Sequence, residues 1–225
     1  MSLANRQLAA GTISFAICFA AWGLISAFAQ RFREIHHLSA SQTALLVAIP
    51  VLLGSLARLP MGLLADRFGG RAVFTALLLF SAIPPLLIPM VSSYAMLIAI
   101  AFLLGMAGSS FAVGVGFVSP WFPKEQQGAA LGIYGLGNAG QSAIVFLGPL
   151  VAARFGWENV FRAVSVLLVV WAAAFVALVR DAPAARGHRT LPSMLEVPAP
   201  ERLARGLVAV FFLIFWGSFA FLVLL

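Results

Sequence analysis

Long apolar runs follow one another along most of the chain, with short polar segments between them. A helix that crosses a membrane needs about 20 mostly apolar residues. Seven runs reach that length: 11–30, 42–64, 72–91, 94–117, 128–151, 160–180 and 206–225. These runs are too long and too uniformly apolar to be the strands of a membrane barrel. The pattern therefore predicts an all-α membrane protein.

The composition supports lipid as the surrounding solvent. Hydrophobic residues make up 62% of the 225 residues and charged residues only 9%, whereas soluble domains carry about 25% charged residues. The net charge of +7 does not indicate nucleic-acid binding, because the lysines and arginines are scattered singly near helix ends. The single cysteine, Cys18, excludes an intrachain disulfide and is predicted to be a buried apolar residue.

The distribution of basic residues predicts the orientation in the membrane. Cytoplasmic segments of membrane proteins are enriched in lysine and arginine. If the N-terminus is cytoplasmic, the cytoplasmic segments hold Arg6, Arg67, Arg71, Lys124, Arg180, Arg186, Arg189, Arg202 and Arg205. The opposite side then holds only Arg31, Arg33, Arg154 and Arg162. We therefore expect a multi-pass protein with a cytoplasmic N-terminus.

The stretch that follows the sixth run differs from everything before it, because it is rich in proline and mixes both charge signs. We interpret residues 1–180 as a six-helix transmembrane bundle, 181–205 as a cytoplasmic linker and 206–225 as a seventh transmembrane segment. A seventh span followed by nothing is unusual. The sequence therefore suggests a truncated or partial polypeptide.

Of all the Asp, Glu, Lys and Arg residues in the sequence, Arg58 is the one that lies clearly inside an apolar run. A charge there costs about 2.5–3.5 kcal/mol on insertion scales. It lies eight residues before Asp66, roughly 12 Å along a helix, which is beyond the reach of its side chain. The interior of every predicted span lacks Asp and Glu. We favour binding of a mobile anion, and snorkelling or structural pairing of Arg58 remains the alternative.

The turn between the second and third runs holds a spaced set of glycines and charges: Gly62, Asp66, Arg67, Gly69 and Arg71. Gly62 would permit close helix approach, and Asp66 lies near the start of the third span, where a helix dipole favours a carboxylate. Six spans, a central linker and this turn resemble the major facilitator superfamily of secondary transporters. The resemblance implies that the turn helps to latch an inner gate.

The fourth and fifth runs narrow the resemblance. Trp121-Phe122-Pro123-Lys124 precedes a glycine-rich run that contains Gly137-Asn138-Ala139-Gly140. These motifs resemble the nitrate/nitrite porter family over roughly residues 12–182. The resemblance implies an alternating-access carrier in a bacterial inner membrane, with Arg58 as an anion-binding arginine of the second span.

Nitrate is flat and singly charged, and a guanidinium offers a planar fork of donors that suits two of its oxygens. Asn138 could donate to the third oxygen, and the glycines of the fifth run would allow close packing and expose backbone near a ligand. Phe111, which the resemblance supports, and Trp22, which it does not, could exclude water. The predicted substrate-binding residues are Arg58, Asn138, Gly135, Gly137, Gly140, Phe111 and Trp22. The alternative is that the glycines and aromatics serve packing alone.

The expected partners are nitrate or nitrite, the lipid bilayer and a complementary C-terminal half of the transporter, with no nucleic acid. The chain lacks a phosphate loop, a nucleophile constellation and a cluster of metal ligands, so we expect no enzyme activity, cofactor or metal. Two other functions stay open: a carrier for another small anion such as a carboxylate, and a truncated remnant that does not transport. Antiport and proton symport also remain open, because no span carries an interior carboxylate.

Overall fold

The computed structural model describes residues 2–182, which are almost entirely helical. The α-helices are α1 (Leu3–Ala27), α2 (Ala29–His36), α3 (Ala40–Phe68), α4 (Gly70–Leu87), α5 (Tyr94–Leu104), α6 (Ser110–Val118), α7 (Lys124–Gly135), α8 (Ala139–Phe155) and α9 (Trp157–Leu178). Short 3₁₀ segments cover Ile88–Met90, Gly105–Ser109, Ser119–Trp121 and Leu136–Asn138. The predicted seventh span and nearly all of the predicted linker lie outside the described residues.

Within residues 2–182, the helices form six units that are long and apolar enough to cross a membrane: Leu3–Ala27, Ala40–Phe68, Gly70–Met90, Tyr94–Trp121, Lys124–Phe155 and Trp157–Leu178. We call them the first to sixth spans. The all-α prediction is confirmed for these residues, and the first six of the seven predicted runs each correspond to one span. Several spans are longer than their apolar runs, because polar residues continue the helices beyond the hydrophobic part.

The fourth and fifth spans are both interrupted near their middle by a 3₁₀ segment, Gly105–Ser109 and Leu136–Asn138. A 3₁₀ segment tightens the helix and often marks a hinge when it lies inside a longer helix. Leu136–Asn138 overlaps the predicted Gly137–Gly140 motif, and Gly105–Ser109 ends two residues before the predicted site residue Phe111. The fold therefore places local distortions at the level of the predicted site.

The first span lies at the centre of the bundle, where it contacts α6, α8 and α9. Phe15, Cys18, Phe19 and Leu24 are all buried. A helix that is apolar on every side needs lipid or other helices around it, and here neighbouring helices cover these side chains. The prediction that Cys18 is buried is confirmed.

Side-chain hydrogen bonds tie the spans to one another. The indole nitrogen of Trp171 donates to Ser14 Oγ at 2.8 Å and joins the sixth span to the first. The hydroxyl of Tyr134 donates to the carbonyl of Ser110 at 2.8 Å and joins the fifth span to the fourth. Polar side chains in membrane bundles commonly pair across helices in this way, because lipid offers no partners.

The same turn is built twice in the described chain. Ala-Asp-Arg-Phe-Gly ends the second span at Gly69, and Ala-Ala-Arg-Phe-Gly ends the fifth span at Gly156. The glycines have nearly equal dihedral angles, φ 89° with ψ 143° and φ 85° with ψ 146°, a conformation that suits glycine. We call residues 65–71 the Gly69 turn and residues 152–158 the Gly156 turn. Because successive spans reverse direction, the two turns lie at opposite ends of the bundle.

Candidate functional site

Arg58 lies on the second span, four residues after a backbone-to-backbone contact with the fourth span. A Cβ built on Gly54 would lie 2.9 Å from the carbonyl oxygen of Gly105, and a Cβ on Gly105 would lie 2.3 Å from the carbonyl oxygen of Pro50. Residues four apart share a helix face, so Arg58 lies on the face that meets the fourth span. Its side chain is half-buried.

Trp22 of the first span packs against the same contact. Its indole nitrogen lies 3.4 Å from the Cβ that Gly108 would carry, and that Cβ would also be 3.4 Å from the Cα of Gly54. Phe111 follows Gly108 by three residues, and Arg58 follows Gly54 by four. Because the second and fourth spans run in the same direction, Phe111 and Arg58 lie on the same side of the contact between these glycines. Trp22 therefore packs at the contact between the second and fourth spans, and Arg58 and Phe111 lie about one helical turn beyond that contact on their own spans.

An aromatic cluster continues from this contact towards the fifth span. The ring of Phe15 lies 5.6 Å from that of Phe111 and stacks on Tyr134 at 4.9 Å, measured between centroids. Phe19 contacts Trp22 at 5.2 Å. Sequence analysis missed Phe15, Phe19 and Tyr134 as neighbours of the site. The signal was present on the first span, where positions 15, 19 and 22 have the spacing of one helix face.

Gly137 and Gly140 place the fifth span directly against the first. A Cβ on Gly137 would lie 2.3 Å from the ring of Phe15, and a Cβ on Gly140 would lie 1.8 Å from the carbonyl oxygen of Ala16. No side chain fits at either position. These two glycines fix the distance between the fifth span and the aromatic cluster.

Three earlier glycines of the fifth span lie on the opposite side of the helix from Gly137 and Gly140. A Cβ on Gly128, Gly132 or Gly135 would meet nothing within 4 Å in the part of the chain that the structure describes. Residues 128–140 of the fifth span therefore carry a packed set of glycines, 137 and 140, and an open set, 128, 132 and 135. The sequence alone presents them as one glycine-rich run.

Asn138 ends the 3₁₀ segment of the fifth span and is exposed. Its side-chain nitrogen donates to the carbonyl oxygen of Gly135 at 3.0 Å, within the same helix. The role of Asn138 in anion binding therefore stays a prediction.

The predicted gating residues lie on both sides of Gly69, which is itself one of them. Around Gly62, no described atom lies within 4 Å of the position of a Cβ. Asp66 belongs to the last turn of α3 rather than to the third span, and its Oδ1 lies 3.5 Å from the Cβ position of Gly116. Arg67 is exposed, with its guanidinium 5.2 Å from the ring centre of Phe68. Asp66 is on the α3 side because that helix continues to Phe68.

The carboxylate that meets the start of the third span is that of Asp181. Its Oδ1 accepts a hydrogen bond from the backbone N–H of Arg71 at 2.8 Å, and its Oδ2 lies 2.6 Å from the Cβ position of Gly69. Sequence analysis assigned Asp181 to the linker and missed this contact. The partners are 110 positions apart, so no local pattern indicates it.

Residues 2–182 contain no group of three or more His, Cys, Asp or Glu side chains that could hold a metal ion. A guanidinium within an apolar bundle offers hydrogen bonds and charge at a place with little competing water.

Comparison with known proteins gives a superfamily and a set of relatives. The sequence profile of the Major Facilitator Superfamily matches residues 11–225. A probable nitrate/nitrite antiporter of Thermus thermophilus is 42% identical over 177 residues, which cover 73% of this chain and 40% of the relative. A nitrite extrusion protein of Bacillus subtilis is 37% identical over 166 residues, 74% of this chain and 42% of the relative. A probable nitrate transporter of Staphylococcus carnosus is 34% identical over 171 residues, 76% of this chain and 44% of the relative.

The chain spans less than half the length of these curated relatives. Two solved structures share its fold at low identity. An inward-facing, unoccupied bacterial homologue of the human lysosomal transporter Spinster matches with a TM-score of 0.72 at 17% identity, over 89% of this chain and 48% of the other. The inward-open xylose transporter of E. coli matches with a TM-score of 0.61 at 15% identity, over 78% of this chain and 48% of the other. The resemblance inferred from the motifs is confirmed, and the chain belongs to the Major Facilitator Superfamily.

Proposed function

We propose that the chain forms the N-terminal half of a nitrate/nitrite carrier that works by alternating access. The observation that carries the proposal is that Arg58 and Phe111 lie about one helical turn beyond the contact of Gly54 with Gly108 that Trp22 packs against, in a chain whose relatives are named for nitrate and nitrite transport. Arg58 supplies the charge, and the two aromatic side chains exclude water from it. The relatives' identity of 34–42% supports nitrate or nitrite as the anion.

The other predicted residues divide by their surroundings. Gly137 and Gly140 act through packing, since they set how close the fifth span comes to the first. Gly135 and Asn138 lie away from that contact, where backbone and carboxamide groups can approach a ligand. A planar anion bound by the guanidinium fork would use Asn138 for its remaining oxygen.

A complementary C-terminal half is the partner that the open surfaces support. The fifth span exposes Phe146 (74%) and Leu150 (69%), and the second span exposes Leu56 (63%). Exposed apolar side chains are as stable against lipid as against a second bundle, so they do not distinguish the two. The open set of glycines favours a second bundle. Stripes of small residues in membrane helices let another helix approach closely. A second bundle against the second and fifth spans fits both features and the share of the relatives' length that this chain covers.

Transport would follow from the two halves rocking about the bound anion near the midplane. The arginine bias supports a cytoplasmic N-terminus in a bacterial inner membrane, which puts the Gly69 turn on the cytoplasmic side. The gating residues Gly62, Asp66, Arg67, Gly69 and Arg71 then act at the inner gate. Exchange of nitrate for nitrite needs no proton site, in line with spans that lack interior carboxylates.

The test uses protein expressed from the complete native reading frame and reconstituted in vesicles that contain nitrite. Uptake of isotope-labelled nitrate is measured for the unaltered carrier, Arg58→Lys, Arg58→Gln and the exposed control Arg33→Gln. We expect Arg58→Gln to reduce uptake at least 100-fold and Arg58→Lys at least 10-fold, because lysine keeps the charge but loses the fork. Arg33→Gln should stay within twofold of the unaltered carrier.

Competition with unlabelled anions separates nitrate from the alternative substrates. Nitrate or nitrite should suppress the labelled uptake, and acetate or lactate at the same concentration should not. Carriers that move a carboxylate and ignore nitrate would contradict the proposal and support a carrier for another small anion. If the protein from the native reading frame folds and moves none of these anions, the non-transporting remnant is supported.

A further inference from the structure

The start of the third span has no capping side chain of its own. The first N–H groups of a helix lack partners inside it and are usually satisfied by the residue at the N-cap. Here the N-cap is Gly69, which has no side chain to offer. Asp181 supplies the missing acceptor through its hydrogen bond with the Arg71 N–H. The third span is thus capped by a residue that follows the end of the sixth span.

The third span in turn caps the C-terminal end of the sixth span through Arg71. The guanidinium of Arg71 donates to the carbonyl oxygen of Val176, in the last turn of α9. The final carbonyl groups of a helix also lack partners, and a cation is favoured there just as a carboxylate is favoured at the beginning of a helix. Asp181 and Arg71 therefore form a reciprocal cap between the third and sixth spans.

The segment that carries Asp181 is itself held under the bundle. Val179 and Ala182 are buried. The backbone N–H of Arg180 donates to Oε1 of the buried Gln7 at 3.3 Å, which joins this segment to the first span. Asp181 is therefore placed by contacts on both sides, and its carboxylate lies in a fixed position.

The Gly156 turn shows that such a turn forms without a distant carboxylate. Its glycine has the same conformation as Gly69, and the acid beside it is Glu158, whose Oε2 lies 3.1 Å from the Cβ position of Gly156. Glu158 belongs to the first turn of the helix that begins there. The turn is therefore a local structure, and the link to Asp181 is an addition found at the Gly69 end.

We propose that Asp181 is a positioning residue that fastens the Gly69 turn to the end of the sixth span. The turn, the third span and the sixth span then move as one body when the carrier changes conformation, a role that rests on the proposed alternating-access function. Asp66 and Arg67 lie on the other side of Gly69, and their side chains remain available to contact the segment that closes the gate. Asp181 is not a ligand of the anion, and it acts on transport through the backbone of Arg71.

The first measurement needs no substrate. In the 225-residue chain, Phe68→Cys places a thiol at the Gly69 turn, where the side chain is 59% exposed, while the single native thiol of Cys18 is fully buried. The rate of labelling by a polar maleimide is compared for Asp181→Ala, Asp181→Asn and the matched control Glu158→Gln. We expect labelling at least threefold faster in Asp181→Ala than in the control. Asp181→Asn should lie between them, because asparagine keeps one acceptor oxygen.

The second measurement separates positioning from general stability. In the complete carrier, nitrate uptake per folded molecule should show a maximal rate at least fivefold lower for Asp181→Ala, with KM within twofold, and partial recovery in Asp181→Asn. Equal labelling rates, or equal maximal rates, for the Asp181 variants and Glu158→Gln would overturn the proposal. If Asp181→Ala does not fold, Asp181→Asn decides by the same comparison. If the unaltered carrier moves no nitrate, the proposed function fails, and the labelling rates alone decide the role of Asp181.

Discussion

Gly140 lies so close to Ala16 that the two spans touch through their backbones: a Cβ on Gly140 would be 1.8 Å from the carbonyl oxygen of Ala16. This contact holds the fifth span against the first beside the aromatic cluster. Gly132 belongs to the open set on the same span and meets nothing within 4 Å among the described residues. The two glycines form a matched pair for testing what the packed set does.

Gly140→Ala should destabilise the bundle by about 3 kcal/mol, because a methyl group forced against a backbone carbonyl can be accommodated only by moving a helix. Gly132→Ala should leave stability unchanged or raise it by up to about 1 kcal/mol, since alanine favours helix over glycine. The measurement is thermal unfolding of the purified chain in detergent. Equal melting temperatures for the two variants would contradict the contact.

The two tyrosines of the chain provide a second matched pair. Tyr134→Phe removes a buried hydrogen bond to the Ser110 carbonyl and should cost about 1 kcal/mol. Tyr94→Phe removes an exposed bond to the carbonyl of Gln42 and should cost much less, because water replaces it. Thermal unfolding of both variants checks the difference. A larger loss in Tyr94→Phe would be incompatible with the burial of Tyr134.

Cys18 should be inert to thiol reagents until the bundle unfolds. Its side chain has no exposed surface, so a polar maleimide cannot reach it in the folded state. We expect labelling in detergent to rise at least 100-fold when the protein is denatured with sodium dodecyl sulfate. Rapid labelling of the folded chain would mean that the centre of the first span opens in solution.

The open set of glycines should matter for association and not for folding of the bundle. Gly132→Leu places a large side chain where we propose the C-terminal half docks, so it should reduce copurification of the two halves, expressed separately, at least fivefold. Ala173→Leu, at an exposed position of the sixth span, is the control and should copurify normally. Both variants should melt within about 1 kcal/mol of the unaltered chain. Normal copurification of Gly132→Leu would place the partner elsewhere.

The sequence by itself determined the number and order of the six described spans. Length and hydropathy of each run are local properties, and lipid forces every backbone group in such a run to pair within its own helix. The cost of a charge in lipid likewise singled out Arg58 without any knowledge of its neighbours. The Gly69 turn was also recognisable, because its glycines and charges are close together in sequence.

Only the tertiary structure decided which neighbouring residues each side of a helix contacts. The run of glycines in the fifth span divides into a packed and an open set, since helix rotation is fixed by contact with Phe15 and Ala16 of the first span. Asp181 belongs to the Gly69 turn through a hydrogen bond that spans 110 positions, and no local pattern encodes such a pair. Asp66, although nearer in sequence, belongs to the last turn of α3, because that helix continues past it to Phe68.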